Sequence, residues 1–132
     1  LTIAIIDLFI LYGVYFRWCF LSGKILIADR YIEDTLIDFK LNFPEEDVEE
    51  WVLWKILCKV IPTPQKHFIL LIPVEESMKR SILKNEPFPD DEETLKNRLN
   101  FYSCLVAKNS RFKELNGTNN IEDIHCEIIS CS

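Results

Sequence analysis

Two short, unbroken apolar runs constrain this chain more than any other feature: Ile25-Leu26-Ile27-Ala28 and Phe68-Ile69-Leu70-Leu71-Ile72. Neither alternates apolar with polar residues, so neither suits a strand with one wet face. Each reads instead as a strand buried on both sides, the habit of a parallel sheet covered by helices. The segments around them have the period of helices. The run "LTIAIIDLFILYGVYFRWCF" is a helix ended by Ser22-Gly23, and Lys24 to Ala28 follow as the first strand. "YIEDTLIDFKLNF" is a short helix, and "PEEDVEEWVLWKILCKVI" a longer one, opened by Pro44 and carrying Val48, Trp51, Val52, Ile56 and Leu57 at helical spacing. Pro62-Thr63-Pro64 stop it.

The second strand, "HFILLIP", leads into the helix "VEESMKRSILK". "NEPFPDD" breaks the pattern, and the pair Asp90 and Glu93 predicts a capping box for a helix over about 91–109. A strand around "FKEL", a turn "NGTNN" and a last helix "IEDIHCEII", capped by Asn119 and Glu122, complete the chain. The expected order is α, β, α, α, β, α, break, α, β, α, one domain over residues 1–132 of the α/β class. Such an order calls for right-handed crossovers between parallel strands, with ligands bound beyond the strands' carboxyl ends.

Charge and composition narrow the function. A formal net charge of -6 and a pI near 4.9 argue against nucleic acid as a partner, because affinity for a phosphate backbone comes from clustered Lys and Arg. A local basic pocket for a small anion remains compatible with that balance. The five cysteines are scattered, with no CxxC pair and only two histidines, so they are expected to be reduced thiols of a cytoplasmic protein rather than metal ligands. Three glycines leave no way to write a GxxxxGK[ST] phosphate loop. The chain opens on Leu1 rather than methionine, as a segment of something longer would.

The first twenty residues are apolar nearly all round, so a membrane span is one reading. Asp7 opposes it, costing about 2.5 to 3.5 kcal/mol at a bilayer centre, and the first basic residue, Arg17, follows the apolar run where a signal peptide needs one before it. The expectation is a buried helix, packed on a sheet with one side and on another helix or a second subunit with the other, and no membrane partner.

The first strand delivers Asp29, Arg30 and Tyr31 to its carboxyl end. A carboxylate there suits a magnesium ion, and a guanidinium suits a phosphate, the two needs of phosphoryl transfer; an ion pair that merely caps a strand is the plainer alternative. At these residues the chain resembles a family. "GKILIADRY" is similar to the third strand and DRY motif of the thymidylate kinases, P-loop nucleoside monophosphate kinases. "DLFILYGVYFRWCFLSGK" resembles the helix before that strand, "FILLIPVEESMKRSILKNEPFPDDEETLKNRLNFY" the fourth strand, its helix, the lid and the helix after it, and "ELNGTNNIEDIHCEII" the fifth strand, the loop on the base side and the last helix.

The resemblance implies a three-layer P-loop kinase fold that is incomplete here: equivalents of the third, fourth and fifth strands are present, the first strand and the phosphate loop absent, and the lid lies at about residues 80–92. It implies ATP and Mg2+ as cofactors and a nucleoside monophosphate as substrate. Asp29 would be the metal-side carboxylate, Arg30 would hold the acceptor phosphate, and Tyr31 would shape the acceptor pocket. Arg80 and Lys84, one turn apart, would close on the transferring phosphoryl group, although basic residues late in a helix also simply oppose its dipole. Asn116, Gly117 and Thr118 would lie against the donor's adenine, or form a solvated turn.

Where dTMP-specific members place an aromatic residue and an arginine on the thymine, counting back from Asp29 gives Ile5 and Phe9 here. Phe9 is then the candidate for base contact, and the identity of the acceptor base is open. After the DRY motif, Glu33, Asp34, Thr35 and Asp38 stand where Ser and Gln residues usually contact the nucleoside. Three functions follow as expectations. The first is a nucleotide kinase-like protein inactive as these 132 residues, homodimeric through its apolar first helix. The second is a non-catalytic nucleotide-binding or interaction remnant, and the third a small membrane-anchored protein.

Overall fold

The computed structural model describes residues 2–131 and divides them into two compact units, the first ending at Thr63 and the second beginning at Pro64.

The first unit is helical. Helix α1 (Thr2–Leu21) is one continuous rod whose middle, Phe9–Phe16, widens to π-helical winding. It buries Ile5, Tyr12 and Cys19, seven residues apart and therefore stacked along one stripe. Its end is a paired turn: Gly23 N–H reaches Phe20 O and Lys24 N–H reaches Cys19 O, with Gly23 at φ +71°, where a side chain would be strained. Helix α2 (Ile32–Asn42) follows, then a 3-10 turn at Val48–Glu50 and helix α3 (Val52–Val60). Trp51 is extended (ψ 134°), so the helix expected from Pro44 onward starts only at Val52.

Ile5, Ile32, Val48, Trp54 and Leu57 form the core of this unit, with Phe9, Tyr31, Phe39 and Trp51 packed against it. Arg17 Nε donates to Val60 O at 2.8 Å, satisfying one of the carbonyls that the end of α3 leaves open.

Two expectations are corrected here. Residues 24–28 do not form a strand: they run without ladder partners, and Ile25 and Ile27 are 94% and 91% exposed. A strand exists only where a neighbour takes its N–H and C=O groups, and among the described residues the sole ladder lies in the second unit. The helix before it is not buried all round either. It packs on α3 along its stripe, while Ile3, Ile10, Val14, Trp18 and Leu21 face outward, because no sheet lies against it within its unit. By length and composition alone, Thr2–Leu21 is a helix that suffices to cross a membrane.

The second unit is α/β. Strand β1 (His67–Leu71) pairs in parallel with β2 (Phe112–Asn116), in register from His67 opposite Phe112 to Leu71 opposite Asn116. Helices α4 (Val74–Lys84) and α5 (Glu92–Lys108) form the crossover, and α6 (Ile121–Ser130) follows β2. Parallel strands need such a long connection.

The caps sit one residue later than the spacing suggests. Asp91 accepts from Thr94 N at 2.7 Å and Asn120 from Asp123 N at 2.8 Å. Asp90 instead takes Arg98 Nε at 2.9 Å. Asn85 ends α4 in the left-handed region (φ 51°), a position Asn tolerates better than most residues. Leu115 is the one fully buried large apolar side chain among the described residues of this unit, whereas Ile82, Leu83, Phe88 and Ile121 are exposed.

Candidate functional site

The candidate residues fall into two groups, one in each unit. In the first unit Asp29, Arg30 and Tyr31 follow one another between α1 and α2, and Phe9 lies within α1. Asp29 is exposed, and Arg30 turns the chain in the left-handed region at φ 65°. For a residue with a full side chain, that conformation costs about 1 to 3 kcal/mol and persists only where the surroundings impose it. Asp34 supplies part of that constraint. Its Oδ2 accepts the Tyr31 N–H at 3.1 Å, and its Oδ1 lies 3.8 Å from Arg30 Nε.

Tyr31 is fixed on all sides. Its hydroxyl donates to Pro62 O at 2.8 Å, and its ring lies parallel to Phe16 at 6.1 Å and tilted on Tyr12 at 4.7 Å. Burial, then the carboxylate of Glu33, then Tyr12 push its hydroxyl up to about 12. Burial, with Asp34 and Glu33 behind it, also raises Tyr12. Phe9 begins the π-helical segment and packs on the core.

For the magnesium expected near Asp29, that exposed residue would offer one carboxylate. Among the described residues no three His, Cys, Asp or Glu side chains converge. One carboxylate fits an ion that keeps most of its shell as water and phosphate oxygen, as magnesium does, and does not fit an ion held in an all-protein cage.

In the second unit, Arg80 and Gly117 come together on the wall of one open cleft of about 660 Å³, whose floor and rim include Leu70, Asn120, Ile121 and Glu122. Lys84, Asn116 and Thr118 are not on that wall. Arg80 is held by Glu76, one turn back, at 2.9 Å through Nε. Lys84 is exposed at the end of α4. Asn116 Oδ1 accepts both the N–H (2.9 Å) and the hydroxyl (2.7 Å) of Thr118, so these two side chains satisfy each other and shape the turn.

Gly117 is buried and its N–H meets Leu71 O at 2.9 Å. A methyl there would overlap Ile72 Cγ2 and stand 3.2 Å from Leu71 O. The residue is thus fixed by a close approach of two backbones. A second open cleft, of about 690 Å³ beside Pro73, Met78 and Lys96, contains none of the candidate residues.

Three contacts lay outside the sequence reading: Asp34 behind Arg30 and Tyr31, Glu76 behind Arg80, and Pro62 O on the Tyr31 hydroxyl. The first two have a signal in hindsight, a carboxylate three residues past a helix start and an acid four residues before a base on one helix. The third joins residues 31 apart and has none.

The second unit thus carries a parallel strand pair with an arginine-walled cleft past the carboxyl end of β2, and the first carries Asp29, Arg30 and Tyr31 between α1 and α2. The chain is 30% identical over 117 residues to thymidylate kinase of Bartonella henselae, covering 81% of this chain and 53% of that protein. It therefore spans about half the length of the curated relative it matches. No family model and no solved structure matches it. The likeness supports a distant kinase-like relationship, and the α/β architecture with its small parallel sheet is compatible with part of a P-loop kinase fold.

Proposed function

We propose that residues 1–132 are the carboxyl-terminal part of a single thymidylate-kinase-like domain, which uses ATP and Mg2+ to phosphorylate a nucleoside monophosphate. The likeness over 81% of the chain to a thymidylate kinase carries this reading. The parallel pairing of β1 with β2 across a helical crossover is compatible with it.

Arg30 binds the acceptor phosphate, and Tyr31 and Phe9 line the acceptor side. Arg80 and Lys84 approach the transferring phosphoryl group from the lid at about 80–92, and Asn116, Gly117 and Thr118 border the donor base. When bound, the metal, near Asp29, neutralises the charge of the reacting phosphates. Proteins of this kind work in the cytoplasm, consistent with five cysteines that are all free thiols. The outward apolar residues of α1 would meet a second copy in a homodimer.

Because the sequence contains no GxxxxGK[ST] loop, these 132 residues bind the acceptor but turn over negligibly. A coupled ADP-release assay with ATP, Mg2+ and a panel of nucleoside monophosphates checks this, and ordinary turnover by the chain alone would refute it. The same absence favours a second reading, a non-catalytic nucleotide-binding module. Monophosphate binding without turnover in a longer version that carries a phosphate loop would decide for it. The exposed apolar face of α1 favours a third, membrane attachment. Recovery of the protein in the soluble fraction without detergent would exclude that.

A further inference from the structure

We infer that Asp34 is a positioning residue for Arg30, holding the guanidinium so that its far edge is presented to an acceptor phosphate. The inference rests on the reading of Arg30 as the phosphate-binding residue and adds to it a residue that reading does not contain.

Three observations converge on Asp34. One carboxylate oxygen accepts the Tyr31 N–H at 3.1 Å, which pins the backbone just past Arg30. The other lies 3.8 Å from Arg30 Nε, too long for a hydrogen bond but close enough for the charges to orient each other. Between them, Arg30 adopts a left-handed conformation that a lone Arg would avoid.

The direction of approach matters. A guanidinium offers five N–H groups in a rigid fork, and a carboxylate facing the Nε edge leaves the pair of terminal nitrogens free to take two phosphate oxygens. Arg30 is 64% exposed and Asp34 only 26%, so the acid forms the fixed, inner side of the pair and the base its outward-facing side. An exposed ion pair of this length adds little to stability. Its consequence is orientation.

Two substitutions separate the parts of this role. Asp34→Asn keeps an oxygen for the Tyr31 N–H and removes the charge that orients Arg30, whereas Asp34→Ala removes both. The probes are dTMP and, as the phosphate-free control, thymidine, titrated calorimetrically into the full chain, with circular dichroism confirming that each variant is folded. Arg30→Ala should weaken dTMP binding at least tenfold. Asp34→Asn should weaken it about threefold to tenfold and Asp34→Ala by more, with thymidine binding unchanged in all three.

If Arg30→Ala weakens dTMP binding and the Asp34 variants do not, the positioning role is overturned and the phosphate role of Arg30 stands. Loss of thymidine binding in parallel with dTMP overturns it too, because a general structural defect then accounts for the effect. If Arg30→Ala itself leaves dTMP binding unchanged, the phosphate reading fails and this inference falls with it.

Discussion

Replacing Gly117 by alanine should destabilise the second unit. The glycine is buried at the end of β2, where its N–H continues the pairing with β1 by bonding Leu71 O at 2.9 Å. The new Cβ would overlap Ile72 Cγ2, which sits directly on the Ile72 β-carbon and cannot swing aside as a long side chain can. It would also stand 3.2 Å from Leu71 O, tighter than ordinary contact. Relief requires the turn to back away from β1.

Overpacking of this kind costs about 1 to 3 kcal/mol, and lengthening the Gly117 hydrogen bond adds about 1 kcal/mol. A total of about 2 to 4 kcal/mol is a large part of a typical domain's stability. With a urea dependence of about 1 to 2 kcal/mol/M for a chain of this size, the midpoint should fall by about 1 M or more. Far-UV circular dichroism suits the measurement, because all three tryptophans lie in the first unit.

The assignment to Ile72 is tested by a cycle. In an Ile72→Ala background the overlapping methyl is gone, so Gly117→Ala should cost at least 1 kcal/mol less than in the parent, the residue being the contact with Leu71 O. A variant within about 0.5 kcal/mol of the parent, or equal costs in both backgrounds, would refute the close-approach argument.

Three further outcomes follow from the geometry. Tyr31→Phe removes the bond to Pro62 O and should lower stability by about 1 kcal/mol at pH 7 in thermal unfolding. It should also abolish an alkaline dependence: a hydroxyl held near 12 against an ordinary 10.0 contributes fully below pH 10, and that contribution is lost as pH rises from 10 to 12. Its full value would be about 2.7 kcal/mol, which partial exposure and solvent screening reduce to about 1 kcal/mol. Asn120→Ala removes the cap of α6 and should cost about 1 kcal/mol, with Asn120→Asp close to neutral, in the same denaturation assay. Lys113 Nζ, at 2.6 Å, and then Ser130 hold the Cys131 thiol below its ordinary pKa, so at pH 7.5 iodoacetamide should modify Cys131 before the exposed Cys104 and Cys126, and Lys113→Gln should erase the preference.

What the sequence revealed and what it hid divide along a physical line. Elements whose signal is local came through: α4 begins at Val74 and ends at Lys84, the span its turn residues bracket, and β1 and β2 fall on the "HFILL" and "FKELN" runs. Caps were off by one residue because adjacent acids or amides, Asp90 and Asp91 or Asn119 and Asn120, compete for one role, and only the backbone angles decide. The "ILIA" run failed as a strand for a non-local reason. Its apolar residues suit a buried ladder, but a ladder needs a neighbour, and residues 24–28 have none within their unit.

The sites show the same limits. Arg80 and Gly117, 37 residues apart, meet in one cleft because β1 and β2 pair in parallel, which the strand pattern implied. Asn116 and Thr118 bond each other across the turn after β2, a local contact that their spacing allows. For Tyr31, the type and position were legible and its partners were not, since Tyr12 and Phe16 approach from α1 and Pro62 O from the segment after α3.

The central claim is that the Asp29-Arg30-Tyr31 corner is the phosphate side of an acceptor site. The most direct measurement is the calorimetric titration of a panel of nucleoside monophosphates, dTMP among them, into the 132-residue chain and its Arg30→Ala variant. The account predicts saturable binding by the parent that falls at least tenfold in the variant. Absence of binding by the parent, or equal binding by both, would contradict it.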